Sequence, residues 1–399
     1  MNYDILFAII FYAILYLVFL KYRSKFEVQS KIFIMYKTKW GIKAMDRIAN
    51  TFPGLLRVLG IISVITGFLG MGAIFTILFH GTYKLLTSPN AQPVVAPILP
   101  GVSIPGVPML SFWHWILGIL IVAAVHEFMH GIYSRLHNIK VKSSGFAFLG
   151  PILAAFVEPD EQQLKKASKY KQLSVISAGP FANFLLAGAF LLLILFILTP
   201  FTHYAVEAKG VQITSIDPAF PISNTPLTAG MSIDKINNQV IKNTEDFIKA
   251  LEITKPGQTI FVTSDAQTIP VQLGAATDNP EKPRLGVSIS PKEVNFKKES
   301  LKPFYPVYTW FAQLCFWIFT ISLGVGLFNL LPLGPVDGGR MFMIASLWFT
   351  KNDETKAKKI WMTVTFLCLL LIAINLAPYL FKLLKFIFQP VLALLIFLF

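Results

Sequence analysis

Six apolar runs divide this 399-residue chain, and each is long enough to cross a lipid bilayer as an α-helix. Inside the hydrocarbon region the backbone must satisfy its own polar groups, which leaves helices as the structure for such runs. The sequence therefore predicts a polytopic α-helical membrane protein with six transmembrane helices. Residues 379–399, which contain Lys382, Lys385 and Pro390, are expected to form either a seventh span or an interfacial helix. The six runs cover residues 4–20, 56–79, 112–135, 174–199, 306–331 and 359–377.

The charge distribution indicates a membrane, and not a nucleic acid, as the partner of the basic side chains. Only 14% of the residues are charged, against about a quarter in soluble domains. The formal net charge is +14, yet residues 201–305 hold 11 basic and 11 acidic side chains, so the whole excess lies near the apolar runs. This pattern is typical of the basic loops that flank membrane spans. No nucleic-acid partner is expected.

The basic loops also predict how the chain is oriented in the cell membrane. Loop 21–55 carries eight basic side chains against two acidic ones, which favours the cytoplasmic side and leaves the N-terminus outside. Loop 136–173 is likewise basic and is expected inside, so residues 201–305 fall outside the cell. The first apolar run has no basic segment before it and is expected to remain as an anchor.

An H-E-x-x-H motif, HEFMH at residues 126–130, lies within the third apolar run. Ionisable side chains are costly inside a span, so such a cluster is a functional-site hypothesis. Residues at i and i+4 share one helix face, which lets His126 and His130 reach one metal ion with Glu127 beside them. This is the spacing of zinc hydrolases, and Glu127 is the expected general base. Because Arg135 follows closely, the site is expected toward the cytoplasmic end of the span.

A catalytic zinc ion usually has three protein ligands and one open position, so a third ligand is needed. Few charged residues remain in or beside the apolar runs. Asp337 is one of them, in the segment NLLPLGPVDGGR at residues 329–340. Its carboxylate is a suitable zinc ligand. The two prolines of this segment are expected to break the helix, and Gly338 and Gly339 to let the backbone bend close to the metal.

The segment SSGFAFLGPILAAFVE at residues 143–158 is apolar, but it is interrupted by glycine and proline and is short for a helical span. It is interpreted as a re-entrant loop or hairpin at membrane depth. Such backbone is tolerated only where protein or a water-filled cavity satisfies its polar groups. Glu158 and Asp160, at the end of this segment, remain as alternative carboxylate ligands.

Residues 201–305 form the one predicted soluble domain, and at about 100 residues such an insert can hold its own core. The short runs VQITSI, TIFVTS and RLGVSI have the composition of β-strands. Between them, residues 244–253 carry apolar side chains at helical spacing and predict one amphipathic helix.

Three ordered motifs within residues 112–340 resemble those of the site-2 protease family of intramembrane zinc metalloproteases. They are HEFMH at 126–130, SAGPFANF at 177–184 and NLLPLGPVDGG at 329–339. The resemblance implies that His126, His130 and Asp337 bind one Zn²⁺ ion and that Glu127 is the base.

Two asparagines of these motifs are further candidates. The G-P-x-x-N match places Asn183 near the metal, where its amide would bind the substrate backbone or the developing oxyanion, or instead make a hydrogen bond between helices. Asn329 would serve in the same way or cap the broken helix.

The family commonly carries a PDZ domain at the position that residues 201–305 occupy here. AGMSIDKINNQVI at 229–241 is similar to a characteristic PDZ stretch, although Ile233-Asp234 stands where that stretch usually has Gly-Asp. RLGVSI at 284–289 resembles a carboxylate-binding loop with its strand, which would hold a peptide C-terminus by β-addition. The resemblance thus implies an extracytoplasmic α+β PDZ-like domain.

Five regions follow from these assignments: two N-terminal spans in 1–111, the first part of the catalytic core in 112–200, the PDZ-like domain in 201–305, the third core span with the Asp-Gly motif in 306–350, and a C-terminal membrane region in 351–399. The predicted activity is zinc-dependent hydrolysis of a peptide bond within the transmembrane segment of a membrane-protein substrate. Such a substrate is expected to have been shortened beforehand by another protease.

Two alternatives remain open at this stage. One is another class of membrane zinc peptidase, in which a downstream glutamate is the third ligand; the sequence lacks the E-x-x-x-H that would mark it. The other is a non-catalytic adaptor that gathers membrane partners through the PDZ-like domain, against which the intact Glu127 argues.

Overall fold

The computed structural model describes residues 3–29, 33–88, 91–100, 108–149, 152–276 and 279–398. Within these residues the helices are α1 (Tyr3–Lys21), α2 (Ile42–Thr51), α3 (Pro53–Thr87), α4 (Phe112–Leu136), α5 (Glu161–Lys166), α6 (Lys169–Leu193), α7 (Thr199–Ala205), α8 (Thr244–Glu252), α9 (Tyr305–Asn329), α10 (Asp337–Phe349) and α11 (Glu354–Leu398). The strands of the membrane region are β1 (Phe26–Gln29), β2 (Phe33–Thr38), β3 (Val141–Leu149) and β4 (Ile152–Pro159). Those of the insert are β5 (Val206–Lys209), β6 (Gln212–Ile216), β7 (Lys235–Ile236), β8 (Gln239–Val240), β9 (Thr259–Ser264), β10 (Gln267–Gln272), β11 (Gly274–Ala275), β12 (Pro283–Arg284), β13 (Val287–Ser290) and β14 (Glu293–Phe296).

Six helices of the described residues are long and apolar enough to cross a membrane, as predicted. They are α1, α3, α4, the continuous helix formed by α6, a π-helical stretch and α7, α9, and the first part of α11. The seventh span is not a separate helix: residues 379–398 continue α11 without a break, and residue 399 lies outside the described chain. The protein is a multi-pass membrane protein.

Helices α4, α6 and α9 pack together at the centre of the membrane region. Small residues allow their close approach, as is usual between membrane helices. The position of a Cβ on Gly118 of α4 lies 2.8 Å from Ile321 of α9, and that on Gly326 of α9 lies 3.1 Å from Phe184 of α6. The Ser322 hydroxyl also donates to the Asn183 carbonyl at 2.9 Å. These contacts hold the three helices in fixed register.

A four-stranded antiparallel sheet in the order β1-β2-β3-β4 lies beside α4. The predicted hairpin at residues 143–158 is therefore confirmed as β3 and β4. Strand β2, which pairs with β3, and strand β1, which pairs with β2, come from the loop at 21–55, where the sequence predicted only a basic connection. They were missed because strand β2 pairs with residues more than 100 positions away: the Thr38 hydroxyl donates to the Ser144 carbonyl at 2.9 Å. The edge strand β4 faces the functional site.

The insert between α7 and α9 has a hydrophobic core of its own, built entirely from residues 211–285. The three predicted strand runs correspond to β6, β9 and β13, and the predicted helix is α8. The Asn243 side chain caps α8 by accepting from the Asp246 N–H at 2.9 Å. Strand β13 pairs with β6, and β9 lies between β10 and β7. The insert is thus an α+β unit.

Candidate metal centre and active-site cavity

Helix α4 carries the HEFMH motif in its C-terminal half. The helix begins after Ser111, whose hydroxyl accepts from the His114 N–H, and it continues through an unbroken apolar sequence. His126 and His130 lie one turn apart on the face toward α6. Their Nε2 atoms are 3.1 Å apart. The predicted helix face therefore does bring both imidazoles together.

Asp337 reaches the two histidines from another part of the chain. Helix α9 ends at Asn329, the proline-containing segment 330–336 turns, and Asp337 begins α10. The Asp337 Oδ2 atom lies 3.0 Å from the His126 Nε2 atom and 3.4 Å from the His130 Nε2 atom. Among the described residues, these three form the group of side chains whose ligand atoms lie close enough to share a metal ion.

Gly338 and Gly339 allow two parts of the backbone to come close together. The prediction was that they would bring the backbone close to the metal, but the atoms they approach are backbone carbonyl groups. A Cβ on Gly338 would lie 2.3 Å from the carbonyl oxygen of Leu330, and one on Gly339 would lie 2.1 Å from that of Leu333. Both glycines therefore pack against the carbonyl groups of the turn and not against the metal site. This packing sets where α10 starts and hence where Asp337 points.

The donor set fits a zinc ion in both chemistry and size. Two imidazole nitrogens and one carboxylate oxygen are ligands of catalytic zinc sites, which leave a fourth position for water or substrate. With bonds of about 2.0–2.1 Å, two ligands of tetrahedral zinc lie about 3.3 Å apart. The three distances observed here, 3.0, 3.1 and 3.4 Å, are close to that separation.

The second nitrogen of each imidazole is held by helix α6. The His130 Nδ1 atom lies 2.7 Å from the Val175 carbonyl, so Nδ1–H donates and Nε2 keeps its lone pair for a metal. The Asn183 amide lies 3.0 Å from the His126 Nδ1 atom, while its buried Oδ1 has no hydrogen-bond partner among the described residues. If the Asn183 amide group is flipped by 180°, its Oδ1 atom accepts a hydrogen bond from the His126 Nδ1–H. His126 then presents its Nε2 lone pair as His130 does.

Replacing Asn183 with leucine is expected to weaken zinc binding about ten- to hundredfold, because His126 loses the acceptor that fixes its tautomer. The measurement is competition with a chelator of known zinc affinity. Asn375→Leu is the matched control, since Asn375 is also buried but contacts Thr82 and Leu371, away from the histidines. If both variants weaken zinc binding equally, Asn183 has no specific role in orienting His126.

Gly179 of helix α6 lies directly against the two imidazoles. A Cβ at this position would be 2.3 Å from the His130 Nε2 atom and 2.6 Å from the His126 Nε2 atom. Gly179 belongs to the motif SAGPFANF at residues 177–184, but no role was predicted for it from the sequence. The i,i+4 spacing of Gly179 and Asn183 was the available signal, because both side-chain positions fall on one face of a helix.

A cavity of about 480 Å³ opens beside the cluster. Glu127, His130 and Asp337 line it from the helices, and Phe156 and Val157 line it from strand β4. Glu127 is not part of the cluster; its Oε2 atom accepts from the Val157 N–H at 3.0 Å. Glu127, predicted from the sequence as the general base, therefore faces this cavity.

Charged pairs surround the mouth of the cavity. Arg340, one turn after Asp337, donates to Glu161 at 3.1 Å, and Lys37 lies 2.8 Å from Glu27 and 3.5 Å from Glu158. The hydrogen bond that Lys37 donates to the Glu27 carboxylate raises the pKa of Lys37. Glu158 also accepts from the Ser143 hydroxyl at 2.6 Å. This glutamate is thus occupied at the mouth and does not join the histidines.

The other asparagine and the other alternative carboxylate also lie outside the cluster. Asn329 is half-buried at the last turn of α9 and does not line the cavity. Asp160 caps α5 by accepting from the Gln162 and Gln163 N–H groups, and the latter bond lowers the pKa of Asp160. Both roles considered for Asn329 therefore stay predictions.

The sequence model of peptidase family M50 matches residues 114–372, which include all three motifs. The chain belongs to peptidase family M50. This is the site-2 protease family that the motifs resemble. An uncharacterized protein of Methanocaldococcus jannaschii is 30% identical over 339 residues, which cover 83% of this chain and 82% of that protein.

The PDZ domain of an SdrC-like protein from Listeria monocytogenes is one solved structure with a similar part. It is 23% identical, covers 21% of this M50 chain and 90% of its own chain, and has a TM-score of 0.19.

Proposed function

We propose that this M50 member is a zinc-dependent intramembrane endopeptidase that cleaves transmembrane segments of membrane-protein substrates. The observation that carries the proposal is the cluster of two imidazole nitrogens and one carboxylate oxygen, 3.0 to 3.4 Å apart. The two histidines lie on α4, which is itself long and apolar enough to span a membrane, and Asp337 begins the short helix α10 that follows α9, another such helix. Family membership supports peptide-bond hydrolysis, and the adjoining cavity supports access by a peptide.

The proposed chemistry divides between the metal and Glu127. A bound zinc ion supplies Lewis acidity, which polarises a carbonyl group and lowers the pKa of water toward ~7. His126, His130 and Asp337 hold the ion, and α6 fixes the imidazoles through the Val175 carbonyl. The Glu127 carboxylate takes a proton from the attacking water and passes it to the leaving amine.

The substrate must become extended before it can react, because a helix hides its carbonyl groups in its own hydrogen bonds. We propose that the extended segment lies along strand β4. Strand β4 pairs with β3 along one edge, and the Val157 N–H points away from β3, toward Glu127. By the alternation of a strand, Ala155 and Leu153 also direct their backbone groups to that outer edge. An added strand would lie beside the metal ligands.

The proposed function includes an orientation of the chain in the membrane. The N-terminus and the insert are external, and the active site lies toward the cytoplasmic side, where water enters through the charged mouth near Arg340 and Lys37. The partners are the lipid bilayer and transmembrane substrates that another protease has already shortened. A labelling test with a membrane-impermeant thiol reagent on cysteines placed in loop 91–100 and in the insert would check this: both must react from outside.

The insert is proposed to act as a PDZ-like domain that holds a peptide C-terminus. Within the described residues β13 has only β6 as a strand partner, so its other edge can accept a peptide. The loop before it turns at Gly286, with φ +82°, beside Phe220, a conformation that favours glycine. The full-length protein is expected to bind a labelled peptide with a free C-terminal carboxylate more tightly than its C-terminal amide. Equal affinities would contradict carboxylate recognition.

The decisive experiment for the activity is cleavage of a model transmembrane segment by the purified full-length protein in detergent, with zinc content measured on the same sample. We expect stoichiometric zinc and cleavage within the apolar segment. A protein that holds zinc but cleaves only outside that segment would contradict intramembrane proteolysis. A folded protein with neither zinc nor cleavage would favour the adaptor alternative.

Asp337→Ala is expected to abolish stoichiometric zinc binding and with it the cleavage, because two imidazoles alone leave the ion without its third protein ligand. Zinc content by elemental analysis is the measurement. Asp353→Ala is the control, since Asp353 caps the start of α11 and pairs with Lys356. Full zinc occupancy in Asp337→Ala would support the alternative in which a glutamate provides the third ligand.

A further inference from the structure

The Val157 N–H donates to the Glu127 carboxylate at 3.0 Å, and this bond joins the proposed general base to the proposed substrate strand. We propose that the bond holds Glu127 in an unreactive position until the substrate segment, adding to strand β4, takes over the Val157 N–H and releases the carboxylate. The inference rests on the proposed function and extends it. Substrate addition and liberation of the base become one event.

The Val157 N–H lies on the unpaired edge of strand β4, so its hydrogen-bond partner is the Glu127 side chain and not a backbone carbonyl of a neighbouring strand. Strand β4 pairs with β3 in the register Ser144 to Val157 and Ala147 to Ala154, and within the described residues no strand pairs with its other edge. A backbone N–H that is not paired with a neighbouring strand takes another acceptor, and a carboxylate is a strong one. Glu127 thus serves as a substitute for the strand that is missing from this edge.

Helix α4 holds Val157 in place for this bond. A Cβ on Gly131, one turn after Glu127, would lie 3.3 Å from the Val157 Cγ1 atom. The strand is therefore packed against the helix beside the motif, and its N–H cannot turn elsewhere without moving β4. The Val157–Glu127 bond is a consequence of this packing.

A peptide strand on the outer edge of β4 competes directly with Glu127. The Val157 N–H makes one good hydrogen bond, and an added strand would offer a carbonyl at that position. The lost carboxylate bond is compensated by the further backbone bonds that Ala155 and Leu153 can make with a longer segment. Binding of an extended segment and release of Glu127 are then linked equilibria, each favouring the other.

Hydrogen exchange tests the resting bond without any substrate. In the full-length protein, Glu127→Ala removes the acceptor, whereas Glu127→Gln keeps a carbonyl at the same position. Mass spectrometry of the peptide covering β4 is expected to show one amide that exchanges at least about tenfold faster in Glu127→Ala than in Glu127→Gln. Equal exchange in the two variants would overturn the proposal.

Peptide binding tests the competition in the same two inactive variants. The probe is a fluorescein-labelled model transmembrane peptide with a central Asn-Pro that favours an extended segment. Glu127→Ala is expected to bind it roughly three- to tenfold more tightly than Glu127→Gln, because the Val157 N–H no longer has to leave an acceptor. Equal or weaker binding by Glu127→Ala would overturn the proposal.

Val157→Pro separates this effect from a change in cavity size. Proline removes the N–H and is tolerated on an edge strand. In the Val157→Pro background the affinity difference between Glu127→Ala and Glu127→Gln should vanish. Ala155→Pro is the matched control: it removes the next outward N–H, and the difference should persist there. A difference that survives Val157→Pro would contradict the assigned bond.

Cleavage of the same peptide by the wild-type protein is measured in parallel. Absence of cleavage would count against the proposed function itself. Cleavage together with equal exchange and equal affinity in the variants would count only against the role of the Val157–Glu127 bond.

Discussion

Glu127→Gln is expected to lower the rate of cleavage of a transmembrane substrate by about a hundred- to ten-thousand-fold, which is the usual contribution of a general base. Glutamine has the size of glutamate and can still accept from the Val157 N–H, but it cannot take a proton from water. Glu127 does not belong to the ligand cluster, so zinc binding should remain. The measurement is the cleavage rate per zinc-loaded protein.

The control for this variant is Glu161→Gln. Glu161 lines the same cavity, but it is exposed at the mouth and pairs with Arg340. Exposed pairs of this kind contribute at most about 1 kcal/mol, so we expect nearly wild-type cleavage. Undiminished activity of Glu127→Gln, with fold and zinc intact, would remove Glu127 from the mechanism.

Gly179→Ala is expected to reduce zinc affinity by at least about a hundredfold, although it adds only one methyl group. That methyl group would lie 2.3 Å from the His130 Nε2 atom and 2.6 Å from the His126 Nε2 atom. Real contacts of this type lie beyond 3 Å, so one or both imidazoles must move away from Asp337. Because zinc binds its ligands only within a narrow range of distances, displaced imidazoles would no longer bind the ion together with Asp337. Chelator competition and elemental analysis are the measurements.

Gly188→Ala is the matched control, because Gly188 lies on the same helix and a Cβ there meets nothing within 4 Å. Alanine favours a helix over glycine at both positions, so only the contact with the histidines differs. We expect wild-type zinc affinity in Gly188→Ala. Equal zinc affinity in both variants would mean that the imidazoles are not where the structure places them.

Much of the membrane architecture was predictable from the order of residues alone. The absence of water in a bilayer forces a long apolar run to form a helix, and the described part of the chain contains six such helices. The helix break before Asp337 was likewise predictable, since Pro332 and Pro335 cannot continue α9. Whether residues 379–399 form a seventh span was left open by the sequence, and in the structure residues 379–398 continue α11 without a turn.

The sheet beside α4 could be predicted only in part. The hairpin of β3 and β4 is local, and its glycine and proline residues marked it. Strands β1 and β2 lie in a basic loop and pair with each other, and the pairing of β2 with β3 depends on contacts across more than 100 residues, such as Thr38 with Ser144. Pairing at such separation is chosen by packing and leaves no periodic signal in a short segment.

The sequence by itself determined the donor atoms of the site. The i,i+4 spacing of His126 and His130 places both imidazoles on one face of α4, because the pitch of a helix allows nothing else. Asp337 followed from the scarcity of charged residues near the spans and from its motif.

Only the tertiary structure decided how these donors are held. The packing of α6 against α4 brings Gly179 onto the imidazoles and Asn183 onto His126, and the edge of β4 places the Val157 N–H on Glu127. These contacts join elements that are distant along the chain. They depend on interhelical distances of a few ångströms, which are set by the summed packing of many side chains and not by any one motif.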